Sequence, residues 1–153
     1  MLKSKLNQLR EKDGFTIIEV IIVLVIAAII MLAVFLVVPQ LQRTQRNSRR
    51  QNDARRVITT YEQYKSENNG TAPTTAGNIT GLTGALTDPS GTAYNITIPA
   101  TAAPSPPVVN TITVVPNNTC TNAGVLTASN GSVAVFVTTE SAAGAPTNWC
   151  TNS

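Results

Sequence analysis

From Val20 to Val38 this chain runs nineteen residues without a charge or a strong helix breaker. At ~1.5 Å per residue such a helix is about 28 Å long, close to the hydrocarbon thickness of a bilayer. One carboxylate, Glu19, stands at the lip of the run. An ionised group there costs about 2.5–3.5 kcal/mol if it reaches the membrane centre. A chain that carries such a group has a use for it. A charged stretch comes before the run, with Lys3, Lys5, Arg10 and Lys12 set against Glu11 and Asp13.

The junction between the two stretches reads Gly14-Phe15-Thr16-Ile17-Ile18-Glu19-Val20. It resembles the cleavage and methylation signal of type IV prepilins and the related pseudopilins. The resemblance implies a leader over residues 1–14, removed by a prepilin peptidase that cuts after Gly14. Phe15 would become the N-methylated terminus, and Glu19 would be the carboxylate used in assembly. It also implies a life in two places: the inner membrane first, then a surface filament built from copies of the same chain. An assembly platform and an ATPase would act on it indirectly. The motif covers about the first quarter of the chain, with charged leader, spacing and apolar run all in agreement.

The physics of the leader points the same way. An ordinary secretory signal places its apolar segment before the cut and loses it with the leader. Here the cut precedes the apolar segment, so the hydrophobic helix is kept as a packing element.

The residues beyond the leader and that helix suffice for one small domain. The net charge of +3 is segregated: Arg43, Arg46, Arg49, Arg50, Arg55, Arg56 and Lys65 lie just beyond the apolar run, and no Lys or Arg comes after them. After Lys65 only Glu67, Asp88 and Glu140 are charged, in a head rich in Thr, Asn, Ala and Gly. Such a head does not read as a nucleic-acid-binding domain. Positive-inside counting finds more basic residues after the run than before it and would place the head in the cytoplasm. Cys120 and Cys150 argue the other way, since a pair in a small, weakly cored domain fits an oxidising compartment. The resemblance sides with the cysteines, and the head is expected outside.

Ala54, Val57, Ile58, Tyr61 and Tyr64 form a one-sided helical stripe. One helix is therefore expected over 15–67: a membrane or filament-core part at 15–38 and an amphipathic neck at 39–67. Pro39 would kink or loosen it. Family members often bend a few residues earlier, near Leu36. The head, 68–153, reads as strands and turns. Tyr94–Ile98 and Val108–Val115 are strand candidates, separated by the loop Pro99 to Pro107. Asn130-Gly131 between Val125–Ser129 and Ser132–Thr138 is a hairpin signal. Asp88-Pro89-Ser90-Gly91 is a turn and, with Tyr94, is similar to an element found after the first helix in many pseudopilins and some pilins. The expected fold is α+β, with a small antiparallel sheet of about four strands packed on the Ala54–Tyr64 stripe.

Each candidate residue has a bland reading beside the sharp one. Glu19 is either a boundary residue reaching for headgroups or the partner of a neighbour's Phe15 amine, fixing register in a bundle that slides easily. Cys120 and Cys150 are either two buried thiols or a bridge closing a loop of thirty residues. Many pilins carry such a C-terminal bridge, whereas the major pseudopilins usually lack one. The arginines are a solvated helix face, a site for DNA or acidic lipid, or a contact with an acidic patch on a neighbour. Five Asn-x-Ser/Thr sequons, starting at Asn69, Asn78, Asn95, Asn117 and Asn130, are expected by chance in so Thr- and Asn-rich a head. With no histidine and two cysteines there is no His-based triad and no zinc site, so neither an enzyme nor a metal or other cofactor is expected. Three functions compete: a type IV pilus subunit, a pseudopilin of a secretion or DNA-uptake machine, and an uncleaved single-span protein with a ligand-binding ectodomain.

Overall fold

The computed structural model describes residues 14–121 and 124–153. Of the expected leader, only Gly14 falls within them. The chain divides into two units, Met1–Pro39 and Gln40–Ser153. Helix α1 runs from Ile17 to Glu67 and contains Pro39 without a break in its helical assignment. Its start lies two residues after Phe15, and its end is the one expected.

In the first unit the helix is greasy on all sides and none of its apolar window is buried. In the second unit the stripe does what its spacing predicts. Ala54, Val57 and Tyr61 are buried, and Ile58 packs partly buried beside them. They meet one face of a four-stranded sheet: β1 (Asn95–Thr97), β2 (Thr111–Cys120), β3 (Leu126–Glu140) and β4 (Pro146–Asn152), paired in that order. Ile112 and Val114 of β2 and Val133, Val135 and Val137 of β3 supply that face. A short helix α2 (Ala76–Thr83) adds Ile79 to the same core.

The arrangement is α+β, as expected, but the sheet is mixed. β2, β3 and β4 are antiparallel, while β1 pairs parallel to β2. The crossover between β1 and β2 is the proline-rich loop, and it has a packing role of its own. Ala100 and Ala103 from that loop, with Cys120 and Leu126, cover the sheet's second face over Val115, Ala134, Phe136 and Cys150. Phe136 is fully buried there.

The hairpin expected at Asn130-Gly131 is not formed. β3 passes straight through it, because β2 is long enough to pair with both arms: Asn118–Cys120 with Leu126–Ala128, and Ile112–Pro116 with Val133–Val137. The intervening residues of β3 bulge opposite Asn117, whose side-chain oxygen accepts the Gly131 N–H at 3.3 Å. Gly131 has a φ of +87°, the left-handed value that makes glycine fit there. The reversal between β2 and β3 falls instead at Thr121–Val125, closed by the Thr121 N–H donating to the Val125 carbonyl.

Candidate functional site: the exposed helix and the clamp beyond it

The described part of the Gly14–Val20 stretch begins at Gly14. Among the described residues a Cβ added there would meet nothing within 4 Å. No contact among the described residues therefore asks for glycine there. Phe15 comes next, at 83% exposure.

Thr16 then starts α1. Its carbonyl accepts the Val20 N–H at 3.3 Å, and its hydroxyl oxygen accepts the Glu19 N–H at 3.4 Å. Glu19 reciprocates, accepting the Thr16 N–H and hydroxyl at 3.4 Å each. This Thr-x-x-Glu capping box satisfies donors that the first helical turn leaves unpaired. It gives Glu19 a role within its own chain that reading the sequence for processing signals does not suggest, although the spacing is visible there. A carboxylate in the first turn also faces the positive end of the helix dipole.

Beyond Glu19 the large apolar side chains from Val20 to Val38 are exposed. Each offers about 1.5–3 kcal/mol if fully buried. Such a surface is a membrane span or a packing surface for other helices.

The arginine cluster is not simply a solvated face. Arg50 is 7% exposed at its side chain and donates to both oxygens of Asp88, at 2.7 and 3.3 Å. It also donates to Glu140 at 3.0 Å. Arg46 reaches the same Glu140 through two bonds of 3.1 and 2.7 Å. The side chain of Asn47 exchanges two 2.8 Å bonds with the Glu140 backbone. Arg43 donates to the Ala142 carbonyl at 2.9 Å. Four residues on two turns of α1 thus hold the end of β3, the turn after it and the Asp88 turn.

The Asp88 turn has the form its sequence predicts. The Gly91 N–H donates to the Asp88 carbonyl, the Ser90 N–H to the Asp88 carboxylate, and Gly91 sits at a φ of +88°. Nearby, Tyr94 donates its hydroxyl to the buried Asp53 at 3.4 Å. The acids Asp88 and Glu140, fifty-two positions apart in sequence, are brought together by one guanidinium.

Electrostatics are set by these contacts. Burial pushes the Asp88 carboxyl up, but bonds from Arg50 and Ser90 outweigh it and hold it below the ordinary carboxylate range. Glu140 is lowered by its bonds to Arg46 and then Arg50, against burial. Asp53 goes the other way, raised by burial despite Arg49 and Arg56. Groups lowered on folding stabilise above their unfolded pKa, near 4, and lose that contribution as pH falls through the folded value. Asp53, raised, opposes them. With two groups against one, the Gln40–Ser153 unit should lose stability below about pH 4. Acid titration followed by circular dichroism checks it; Asp88→Asn should flatten the loss, and an acid-insensitive fold would contradict it.

Cys120 and Cys150 are bridged, with Cα atoms 6.3 Å apart. The bridge joins the end of β2 to β4 and forms part of the sheet's second core. Closing a loop of this length restrains the unfolded chain by about 3–4 kcal/mol. The Cys120→Ser, Cys150→Ser double variant should therefore melt well below the parent in a thermal scan, and an unchanged midpoint would contradict that role. Among the described residues, no three His, Cys, Asp or Glu gather where a metal ion would sit.

Comparison with protein families matches the prokaryotic N-terminal methylation motif at residues 9–35. No curated protein and no solved structure matches the chain. The motif match supports a prepilin-type signal of the type IV pilin and pseudopilin kind, and points to a structural subunit rather than an enzyme.

Proposed function

We propose that this chain is a structural subunit of a type IV pilus. A prepilin peptidase cuts after Gly14, Phe15 becomes the methylated terminus, and the apolar part of α1 leaves the membrane to pack with its copies as a filament core. One observation carries the reading. A membrane-length apolar helix, exposed from Val20 to Val38, lies within and just beyond a methylation motif whose Gly14 meets no packing demand among the described residues. A glycine that no described contact requires, at the position where a protease would cut, points to recognition by that protease.

The Cys120–Cys150 bridge favours an exported head, because a disulfide persists in an oxidising compartment. A pseudopilin is the second reading, and the Asp88-Pro89-Ser90-Gly91 turn, with Tyr94 near it, favours it. Shearing separates the two: long surface fibres that contain this chain as the bulk component support the pilus, whereas a chain retained in the envelope supports the pseudopilin.

The intact mass of the protein from sheared fibres or membranes tests processing. A species beginning at Phe15 with one added methyl group is expected; a species still beginning at Met1 would overturn both readings in favour of an uncleaved membrane protein. Gly14→Leu should leave the precursor uncut and held in the membrane, because its side chain would occupy space that the enzyme needs.

A further inference from the structure

Part of the charge of the Gln40–Ser153 unit is neutralised within the chain. Asp88 and Glu140, the only acids after Glu67 in the sequence, are both held by arginines of α1. Asp53 is buried under Tyr94. Most of the charges outside that clamp lie on one stretch of α1, arginines first, then Glu62, Lys65 and Glu67. Arg49, Arg55 and Arg56 are exposed at its start; half-buried Glu62 and exposed Glu67 lie at its end. Among the described residues, Arg49 and Arg56 enter no ion pair. Glu62 and Glu67 have only weak partners on their own helix, Lys65 at 3.2 Å and the Gln63 amide at 2.9 Å.

We propose that this face of α1 docks on the same helix of a second copy, its arginines against the copy's glutamates, and that the contact fixes the axial stagger between subunits. The proposal rests on the filament reading above. Thirteen residues separate Arg49 from Glu62, and twelve separate Arg55 from Glu67. Parallel copies offset by that number, about 18–20 Å at ~1.5 Å per residue, bring opposite charges level. At zero offset like charges meet. At six or seven residues one arginine finds Glu62, but Arg49 is set against Arg56 or Arg55 and repelled.

The pattern therefore favours a stagger of about twelve residues, where two pairs form, over the smaller ones where like charges meet. It also favours that stagger over one of eighteen, where only Arg49 meets Glu67. Apolar helices sliding past one another make no such choice. A polyanion fits less well, because Glu62 and Glu67 on the same helix would repel it.

The test is a charge swap in cells that make only the variant subunit. Arg55→Glu and Glu67→Arg should each lower the yield of sheared fibres at least about tenfold, since each sets like charges face to face. The double variant should return to within about twofold of the parent, because the two changes are coupled. Processed, disulfide-bonded subunit in the membrane is the check on folding. Arg55 also lies over the Trp149 ring, 5.4 Å from its centre. The pair Arg49→Glu and Glu62→Arg asks the same question without touching that ring, and the same rescue is expected.

Single variants at parental yield would overturn the proposal, as would double variants no better than the singles despite processed and bridged subunits. Fibres of Arg55→Glu at normal yield that have lost salt-sensitive binding of labelled duplex DNA would assign the face to a polyanion and also overturn it. Failure of the filament reading would look different: the unmodified chain would give no fibres at all.

Discussion

Replacing Glu19 by valine should give subunits that are cut, membrane-held and disulfide-bonded, and few or no filaments. Two roles of Glu19 bear on this, and their sizes decide between them. Within its own chain, Glu19 completes the capping box with Thr16. Loss of a helix cap costs about 0.5–2 kcal/mol, and only the first turn of a long helix would fray. In the assembled core, the carboxylate would face the cationic amine of a neighbour's Phe15. Its own terminus is four residues back, ~6 Å along the helix, so a neighbour is the better partner. Valine would strand that amine among apolar side chains, and stranding one member of a buried pair costs about 3–5 kcal/mol. On the filament reading that penalty would apply at every subunit added.

Glu19→Gln separates the two roles, because glutamine preserves the capping box but not the charge. It should fail in assembly almost as badly as valine. Normal fibre yield from Glu19→Gln, with no unmodified subunits present, would make the cap the whole function of the residue.

Arg50→Ala should unfold the Gln40–Ser153 unit or leave it barely stable. The Asp88 side chain is 1% exposed and takes two of its bonds from Arg50. Removing the guanidinium leaves a buried carboxylate with Ser90 as its remaining partner, at about 3–5 kcal/mol. A domain of this kind has only about 5–15 kcal/mol in total, so the melting temperature should fall by more than about 10 °C. Replacing both members by apolar residues of similar volume, Arg50→Met with Asp88→Leu, should recover much of the loss, since no charge is then stranded. A midpoint within about 2 °C of the parent for Arg50→Ala would show that the pair is solvated and dispensable.

Helix α1 and its buried stripe are legible in the sequence, because a period of 3.6 repeats over many residues and averages out local exceptions. So is the Asp88 turn, whose residues each have a local reason to bend. The Asn130-Gly131 dipeptide misleads because it suits a bulge as well as a hairpin. The choice belongs to β2, a partner whose length cannot be seen from the turn. β4 is hard to find because it is an edge strand, Pro-Thr-Asn-Trp-Cys-Thr-Asn, with only Cys150 buried and no alternation to detect. Helix α2 carries two glycines in eight residues and is hidden by its composition. For the candidate site, the division is between local and distant. Gly14, Phe15, Thr16 and Glu19 are neighbours and can be read as a pattern. The bonds from Arg50 to Asp88 and from Arg46 to Glu140 span 38 and 94 positions, and no spacing rule reaches so far.

The clamp also determines how this domain would carry a pull. A tension drawn along α1 enters the sheet where Arg46, Asn47 and Arg50 grip Glu140, the last residue of β3. β3 is an inner strand with a ladder on each side. Force applied at its end loads both ladders in shear, so many hydrogen bonds share it at once instead of opening one after another. The flanking strands cannot spread apart freely, because the disulfide ties β2 to β4 and encloses β3 in a covalent loop. A weakly charged, thinly cored head should thereby resist stretching more than its equilibrium stability alone would give.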